Sequence, residues 1–474
     1  MAMALYLLEV AHGNDPPNIV VILTDDQTLE SMRVMPQVQR LLADKGTTFS
    51  NAFVTVPLCC PSRATLLTGQ YSHNHGVRDN APPNGGYTAL DHTNTLATWL
   101  RDGGYATAHI GKYMNCYGST DPDCGTGGPD VPPGWDDWFG LPDSGISYFD
   151  FDVFDNGTLR HFGPSPAVYS TDVLARRAVA DVRRFAERPQ PFFVNIWPRA
   201  PHRGLGPTAP NGSSPAPSRD YAGTMADEAL PASPSYGEAD LSDKPTYVRN
   251  WFAARWGENE LPGITAAYRA TLEALQSVDD LVADVVGALR EAGELDNTVI
   301  VFSSDNGLMF GEHRMKHRKV VPYEESIHVP LIVRGPGFPA GTIARQVVAN
   351  IDIAPTLVSM SGVTAGRTMD GRSLLPIAQS PAVAADRAVM VEDWPTGTSP
   401  MVPHYEGIRT PGWVYLEYDT GERELYDLNA DPYQLTSLHA DPGAARDMAR
   451  LAEGLAHLRR CEGPTCDVTV PLIL

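Results

Sequence analysis

No run of 18 consecutive apolar residues occurs in this chain, so the sequence offers no membrane-spanning helix. Basic charge is also short: 36 Lys and Arg stand against 57 Asp and Glu, for a formal charge of -21. That balance excludes a nucleic-acid partner, whose phosphates demand a basic surface, and means that an anionic substrate must be gripped locally rather than steered from afar. Lysine is the scarcer cation, with five copies beside 31 arginines, so Lys112 and Lys319, each inside a motif, go against the habit of the chain. Cysteine is limited to six copies. With Cys59 and Cys60 set aside, Cys116, Cys124, Cys461 and Cys466 allow three pairings, and the short loops favour Cys116 with Cys124 and Cys461 with Cys466. Two such bridges imply an oxidising compartment and a secreted or periplasmic protein. The mildly apolar opening, Met1 to His12, lacks a basic n-region and a cleavage site and is excluded from the fold.

What is present is an alternation. Asn18 to Thr24 (NIVVILT), Thr298 to Ser304 (TVIVFSS), Phe192 to Trp197 (FFVNIW) and the weaker Ala106 to Ile110 are short apolar runs of the kind buried on both faces of a parallel sheet. Helical patterns over Met35 to Lys45, Thr95 to Gly103, Thr171 to Glu187 and Ile264 to Ala292 lie between them. A chain of 474 residues exceeds what one core usually holds. The expected fold class is therefore α/β: a doubly wound, mostly parallel sheet flanked by helices over residues 18–386, after an extension at 1–17. A smaller α+β domain with an antiparallel sheet and a last helix follows over 387–474. Gly204 to Asp243, rich in Pro, Ser, Ala and Gly, reads as a long surface excursion near the mouth of a site.

Polar residues follow the strand-like runs: Asp25-Asp26, Asp305-Asn306, Gly111-Lys112 and Pro201-His202. In an open α/β sheet these carboxyl ends converge on one edge, where such folds build their sites. Either acid pair alone would be read as a turn or helix cap. Together they offer only oxygen ligands, which implies a hard divalent cation, calcium or magnesium rather than zinc.

Between the acid pairs stands Cys59-Cys60-Pro61-Ser62-Arg63-Ala64-Thr65-Leu66-Leu67-Thr68-Gly69. A proline can open a helix, so a helix starting near Pro61 would turn its N-H groups and positive dipole end toward Cys59 and an anion, with Arg63 as a fixed cation. The bland alternative is a pair of buried or half-cystine side chains at an ordinary helix start.

The string C-x-P-S-R-x-x-x-L-T-G resembles the signature of the type I sulfatases of the alkaline phosphatase superfamily. The likeness extends through Ser72-His73-Asn74-His75-Gly76-Val77, Gly111-Lys112-Tyr113-Met114-Asn115 and Glu424-Leu425-Tyr426-Asp427-Leu428. These pieces look like the branch that includes the N-acetylglucosamine-6-sulfatases and the heparan endosulfatases.

The resemblance implies a sulfuric ester hydrolase in which Cys59 is oxidised to formylglycine by a formylglycine-generating enzyme. It implies a cation held by Asp25, Asp26, Asp305, Asn306 and the modified Cys59, with calcium favoured because an exported enzyme meets it in abundance. Arg63, Lys112 and Lys319 would balance the sulfate charge, and His202 would protonate the leaving alcohol. One departure stands out: Met114 occupies the place where many arylsulfatases carry a histidine that acts in breakdown of the sulfated intermediate, which leaves His75, His313 and His317 as unranked candidates. These three, with Asn115, are the expected substrate-binding residues. The substrate is expected to be a sulfated sugar or aryl sulfate. The alternatives are a phosphonate monoester or phosphodiester hydrolase of the same superfamily, and a non-catalytic protein that binds sulfated glycans.

Overall fold

The computed structural model describes residues 16–124, 130–143, 146–207, 209, 212–380, 383, 386–394 and 401–470. The expected extension at 1–17 lies, except for Pro16 and Pro17, outside the described residues.

Twelve strands come first: β1 Asn18–Thr24, β2 Thr47–Phe53, β3 Ala106–Lys112, β4 Asp137–Leu141, β5 Phe151–Asp155, β6 Thr158–Phe162, β7 Phe192–Trp197, β8 Thr298–Ser304, β9 Met309–Phe310, β10 Lys316–Arg318, β11 Leu331–Arg334 and β12 Thr342–Ala349. All but β9 and β10 form one sheet in the order β12-β2-β11-β8-β1-β7-β3-β4-β5-β6. Its centre, β8-β1-β7-β3-β4, is parallel. Antiparallel pairing of β11, β5 and β6 frames that centre.

Why β1 reads as a continuous apolar run is visible in its neighbours. Val20 and Ile22 enter the core shared with helices Ser170–Ala186 and Leu261–Glu291, while Ile19, Val21 and Leu23 enter the core under helices Cys59–Thr68, Leu96–Asp102 and Ile353–Ser361. Side chains alternate across a strand, so a helical layer on each face requires apolar residues at every position.

A second sheet starts at Arg387: β13 Arg387–Asp393, β14 Tyr405–Arg409, β15 Trp413–Tyr418, β16 Arg423–Asp427 and β17 Val468–Thr469, ordered β16-β15-β14-β13-β17 and antiparallel throughout. Helix Ala445–Leu458 covers it with Leu451, Leu455 and Leu458, an apolar stripe at helical spacing. Cys116 is bridged to Cys124 and Cys461 to Cys466, as the loop lengths indicate.

Two local expectations need correction. The helix expected over Met35 to Lys45 is broken into Pro36–Leu41 and a 3-10 turn Ala43–Lys45. In the excursion after Gly204, the described residues form no helix or named strand, yet residues 215–218 are buried rather than exposed. Among the described residues no helix is long and apolar enough to cross a membrane.

Candidate active site

The parallel register decides which side chains meet. Thr24 pairs with Ser304, so the two acid pairs leave the sheet side by side. The Asp305 amide donates to Thr24 O at 3.0 Å, the Asp26 amide to Asp305 Oδ1 at 3.2 Å, and the Gln27 amide to Ser304 Oγ at 3.0 Å. Asp26 holds φ at 68°, a left-handed conformation uncommon outside glycine and asparagine, which turns the chain sharply after Asp25. Ligand atoms of Asp25, Asp26, Asp305 and Cys59 all lie within 4.8 Å of one another, and all four residues are buried. Asn306 Nδ2 donates to Asp26 Oδ1 at 2.6 Å, whereas Asn306 Oδ1 is buried without a hydrogen-bond partner.

Cys59 is brought there by its helix. The helix begins at Cys59 itself, two residues earlier than the proline implies. Pro61 is therefore the third helical residue, still within the first turn whose N-H groups lack intrahelical acceptors, so its missing donor costs nothing. Every residue from Cys59 to Thr68 is buried. The Cys60 amide is capped by Asn80 Oδ1 at 2.9 Å, and Cys60 Sγ accepts from the Asn115 amide at 3.0 Å, which turns the second thiol away from the acids. The helix stops at Gly69, whose φ of 66° suits glycine, and an added Cβ would stand 2.9 Å from Met369 Cγ.

Three fixed cations face the three carboxylates. Arg63 Nε donates to Asp305 Oδ2 at 2.9 Å and its Nη1 to the carbonyls of Lys112 and Tyr113 at 2.7 and 3.0 Å, with the guanidinium 5.2 Å from the Trp197 ring centre. Lys112 Nζ donates to Asp25 Oδ2 at 2.5 Å. Lys319 Nζ donates to Asp26 Oδ1 and lies 2.8 Å from Cys59 Sγ.

Burial pushes the Asp25 carboxyl up, but Lys112, His202, Arg63 and Lys319 together outweigh it and hold the group well below the usual carboxylate range. Asp305 moves the other way, raised by burial and then by the Asp25 charge. Burial, followed by the Asp25 charge, pushes the Cys59 thiol up to about 12, so an unmodified Cys59 is a neutral thiol at physiological pH.

A cavity of about 480 Å³ opens over these groups, lined in part by Asp26, Asn80, Asn115, His202, Arg203, His317, Arg318 and Lys319. His202 Nδ1 donates to Arg203 O at 2.8 Å, which directs Nε2 inward, 3.7 Å from Asp26 Oδ2. Burial lowers the His202 imidazole to about 4. Asn115 and His317 reach the cavity; His75 and His313 do not. His75 is turned into the protein, with Nδ1 accepting from the Val77 amide at 3.0 Å and Nε2 3.1 Å from Thr65 Oγ1. His313 lies buried against Tyr323 with Nδ1 2.6 Å from Glu238 Oε2.

Sequence reasoning passed over Asn80, Arg203 and Arg318, which sit in loops or at a short strand with no motif spacing. It also passed over Val320, a β-branched residue at φ 68° whose amide donates to Pro57 O at 3.0 Å and fixes the chain just after Lys319.

The chain is similar to known proteins along most of its length. The family model described as Sulfatase matches residues 17–363, and that described as N-sulphoglucosamine sulphohydrolase, C-terminal, matches residues 311–461. The arylsulfatase of Volvox carteri is 33% identical over 513 residues, covering 97% of this chain and 77% of its own length. The N-acetylglucosamine-6-sulfatase of Homo sapiens is 34% identical over 499 residues, covering 96% and 87%. A solved structure described as a complex with its substrate D-glucosamine-2-N,6-O-disulfate shares the fold with a TM-score of 0.78 at 24% identity, covering 94% of this chain and 98% of its own. A match that runs through both acid pairs, the cysteine helix and the lysine that follows β10 shows that this chain belongs to the sulfatase family and is a sulfuric ester hydrolase.

Proposed function

We propose that this enzyme removes the 6-O-sulfate of a glucosamine-type sugar, outside the cytoplasm, using formylglycine made from Cys59 and a calcium ion held by Asp25, Asp26, Asp305 and Asn306. The observation that carries the site assignment is the buried, unpartnered Asn306 Oδ1 beside three carboxylates and Cys59. An oxygen-only set of this kind fits a hard cation, and a buried acceptor without a donor wants a positive partner. The names of the human relative and of the complexed sugar disulfate support the substrate class, and the two disulfides support an extracytoplasmic setting.

When bound, the cation acidifies the nucleophile and polarises sulfate, and the hydrated aldehyde offers one hydroxyl to attack sulfur and a second to expel it. The remaining work falls to the chain. Three acids and three fixed cations already offset one another, so a dication leaves room for the charge of an anionic ester and an ionised nucleophile. Lys319 holds the nucleophile position and Asp26 in one geometry, and Lys112 does the same for Asp25. Arg63 fixes Asp305 from below, over the Trp197 face. Burial disfavours charge on His202, and an arriving sulfate anion opposes that effect, so the imidazole is suited to donate from Nε2 once substrate is seated. Cys59 is 1% exposed, so the modifying enzyme must reach it before this helix is packed.

The test is a panel: glucosamine 6-sulfate, a 2-N-sulfated glucosamine, sugars sulfated elsewhere, nitrophenyl sulfate and nitrophenyl phosphate. Turnover confined to the phosphate, or to sugars without a 6-sulfate, would reject the substrate assignment.

A further inference from the structure

At the opposite edge of the large sheet lies a second concave surface, about 520 Å³ in volume, formed by four cations from separate parts of the chain: Arg40, Lys45, Arg290 and Arg334, above Leu41 and Leu295. Asp296 is the one acid that lines it. Arg40, Lys45 and Arg290 are exposed and Arg334 half-buried. Among the described residues none of the four forms a salt bridge: Arg40 donates to Gln37 Oε1 at 2.6 Å and Arg334 to Leu41 O at 2.8 Å, both neutral acceptors. In a chain of net charge -21 with five lysines, four cations facing the single acid Asp296, which acts on Arg334 without a salt bridge, are a concentration of positive charge that the composition opposes.

Helix ends explain only part of it. Arg290 closes the last turn of helix Leu261–Glu291 and Arg40 that of Pro36–Leu41, where a cation answers the macrodipole. A helix end carries about half an elementary charge, which does not neutralise a full guanidinium, and Arg334 ends a strand instead.

Leu295 precedes β8, Arg334 pairs with Ile300 near its start, and Lys45 precedes β2. The recess thus lies at the amino end of the seven-residue strand β8, whose other end carries Asp305, roughly 20 Å away at about 3.3 Å per residue. With a screening length of about 10 Å at 0.1 M salt, it cannot steer a small anion into the catalytic pocket and acts only on what touches it.

We propose that this recess is an anchoring site for a sulfated polysaccharide, which seats sulfate groups of a polymer on a face distinct from the catalytic cavity; the proposal rests on the assignment of sulfated sugars as substrates. A strongly acidic protein repels a polyanionic chain, and a contact patch holding four cations to one acid supplies the local attraction that its overall field denies.

The experiment compares the full chain with its Arg40→Gln/Lys45→Gln/Arg290→Gln variant, all exposed positions, leaving Arg334 to hold Leu41. In a Cys59→Ala background that cannot turn over, heparin should bind about tenfold more weakly to the triple variant at 0.1 M salt, with a shallower dependence of affinity on salt because fewer counterions are released. With Cys59 intact, the variant should show a raised KM for a sulfated polymer and an unchanged kcat/KM for a sulfated monosaccharide. Equal heparin affinity and salt slope in both proteins would overturn the proposal. So would hyaluronan, carboxylated but unsulfated, binding as tightly as heparin. If the intact enzyme turned over no sulfated sugar while heparin binding still fell in the variant, the substrate assignment would fail and the binding site would stand.

Discussion

Lys319 Nζ lies 2.8 Å from Cys59 Sγ while donating to Asp26 Oδ1, so one half-buried cation ties the Cys59 position to the acid pair that follows β1. The strained Val320 beside it is held by Pro57 and packs with Val56 and Leu58, next to the start of the cysteine helix. Lys319→Ala should therefore lower kcat by about a hundred- to a thousandfold, the range for losing one preorganised charge-stabilising donor. Circular dichroism should show an intact fold. A variant that changed KM alone would place Lys319 in ground-state binding.

Cys59, not Cys60, should be the position converted, because Cys60 Sγ is engaged by the Asn115 amide and faces away from the acids. Peptide mass analysis should show an aldehyde in place of the thiol at Cys59 and an unchanged thiol at Cys60. Cys59→Ser should fold and lack turnover, since a single hydroxyl has no second one to expel sulfate. Modifying enzyme added to folded, unmodified protein should convert nothing, given the burial of the whole Cys59–Thr68 helix; rapid conversion of the folded chain would contradict this.

His202→Ala should harm sugar sulfates far more than nitrophenyl sulfate, because a sugar oxygen leaves as a basic alkoxide and needs the proton whereas a phenolate does not. The expected loss on the sugar substrate is on the order of a hundred- to ten-thousandfold. Equal losses on both would mean that His202 shapes the pocket or contacts sulfate rather than donating a proton.

Chelation should abolish activity and lower Tm together. Asp25, Asp26 and Asp305 crowd into one buried cluster, and a cation present at about a hundredfold over its Kd adds roughly 2.7 kcal/mol to the folded state. Calcium should restore both properties better than magnesium. Asn306→Ala should need more calcium for the same recovery, and a chelated enzyme with unaltered melting and turnover would remove the metal from this site.

An ion pair whose acid titrates in a defined window ties the second sheet to the short helix Glu324–Ile327. Arg409 in β14 donates to Glu324 through Nε at 2.8 Å and Nη2 at 3.2 Å. Burial pushes the Glu324 carboxyl up, but Arg409 and His328 prevail and bring it to about 2 from an ordinary 4.5. A carboxyl depressed on folding stabilises above its unfolded value and loses that contribution as pH falls toward its folded one, so this pair contributes from about pH 4.5 upward and fades toward pH 2. Arg409→Gln should cost several-fold more stability at pH 6 than at pH 3 in denaturant titrations; a cost independent of pH would show that packing, not charge, is what the guanidinium supplies.

Much of this architecture is written locally. Apolar runs such as Asn18 to Thr24 admit little but a strand covered on both faces, and the acids that trail them point to one sheet edge whatever the exact strand order. The cysteine string, its arginine and the two lysines are recognisable as a pattern without coordinates. Short loops were enough to choose between pairings of Cys116, Cys124, Cys461 and Cys466. Other features have no local signature. Antiparallel β11, β5 and β6 depend on which edges meet after collapse, and no residue within those strands specifies its neighbour. His75, His313 and His317 look alike in sequence, yet only His317 lines the cavity, because Thr65 and Val77 engage the first and Glu238 the second. The positive φ of Asp26 and Val320 is imposed by tertiary hydrogen bonds against the residues' own preference. The cationic recess joins Arg40, Lys45, Arg290 and Arg334 across distant segments of an acidic chain, and only the packing of β8 between β1 and β11 brings them together. Periodicity and motif spacing act over a few residues, whereas the field at a site is a sum over whatever the fold places within a Debye length.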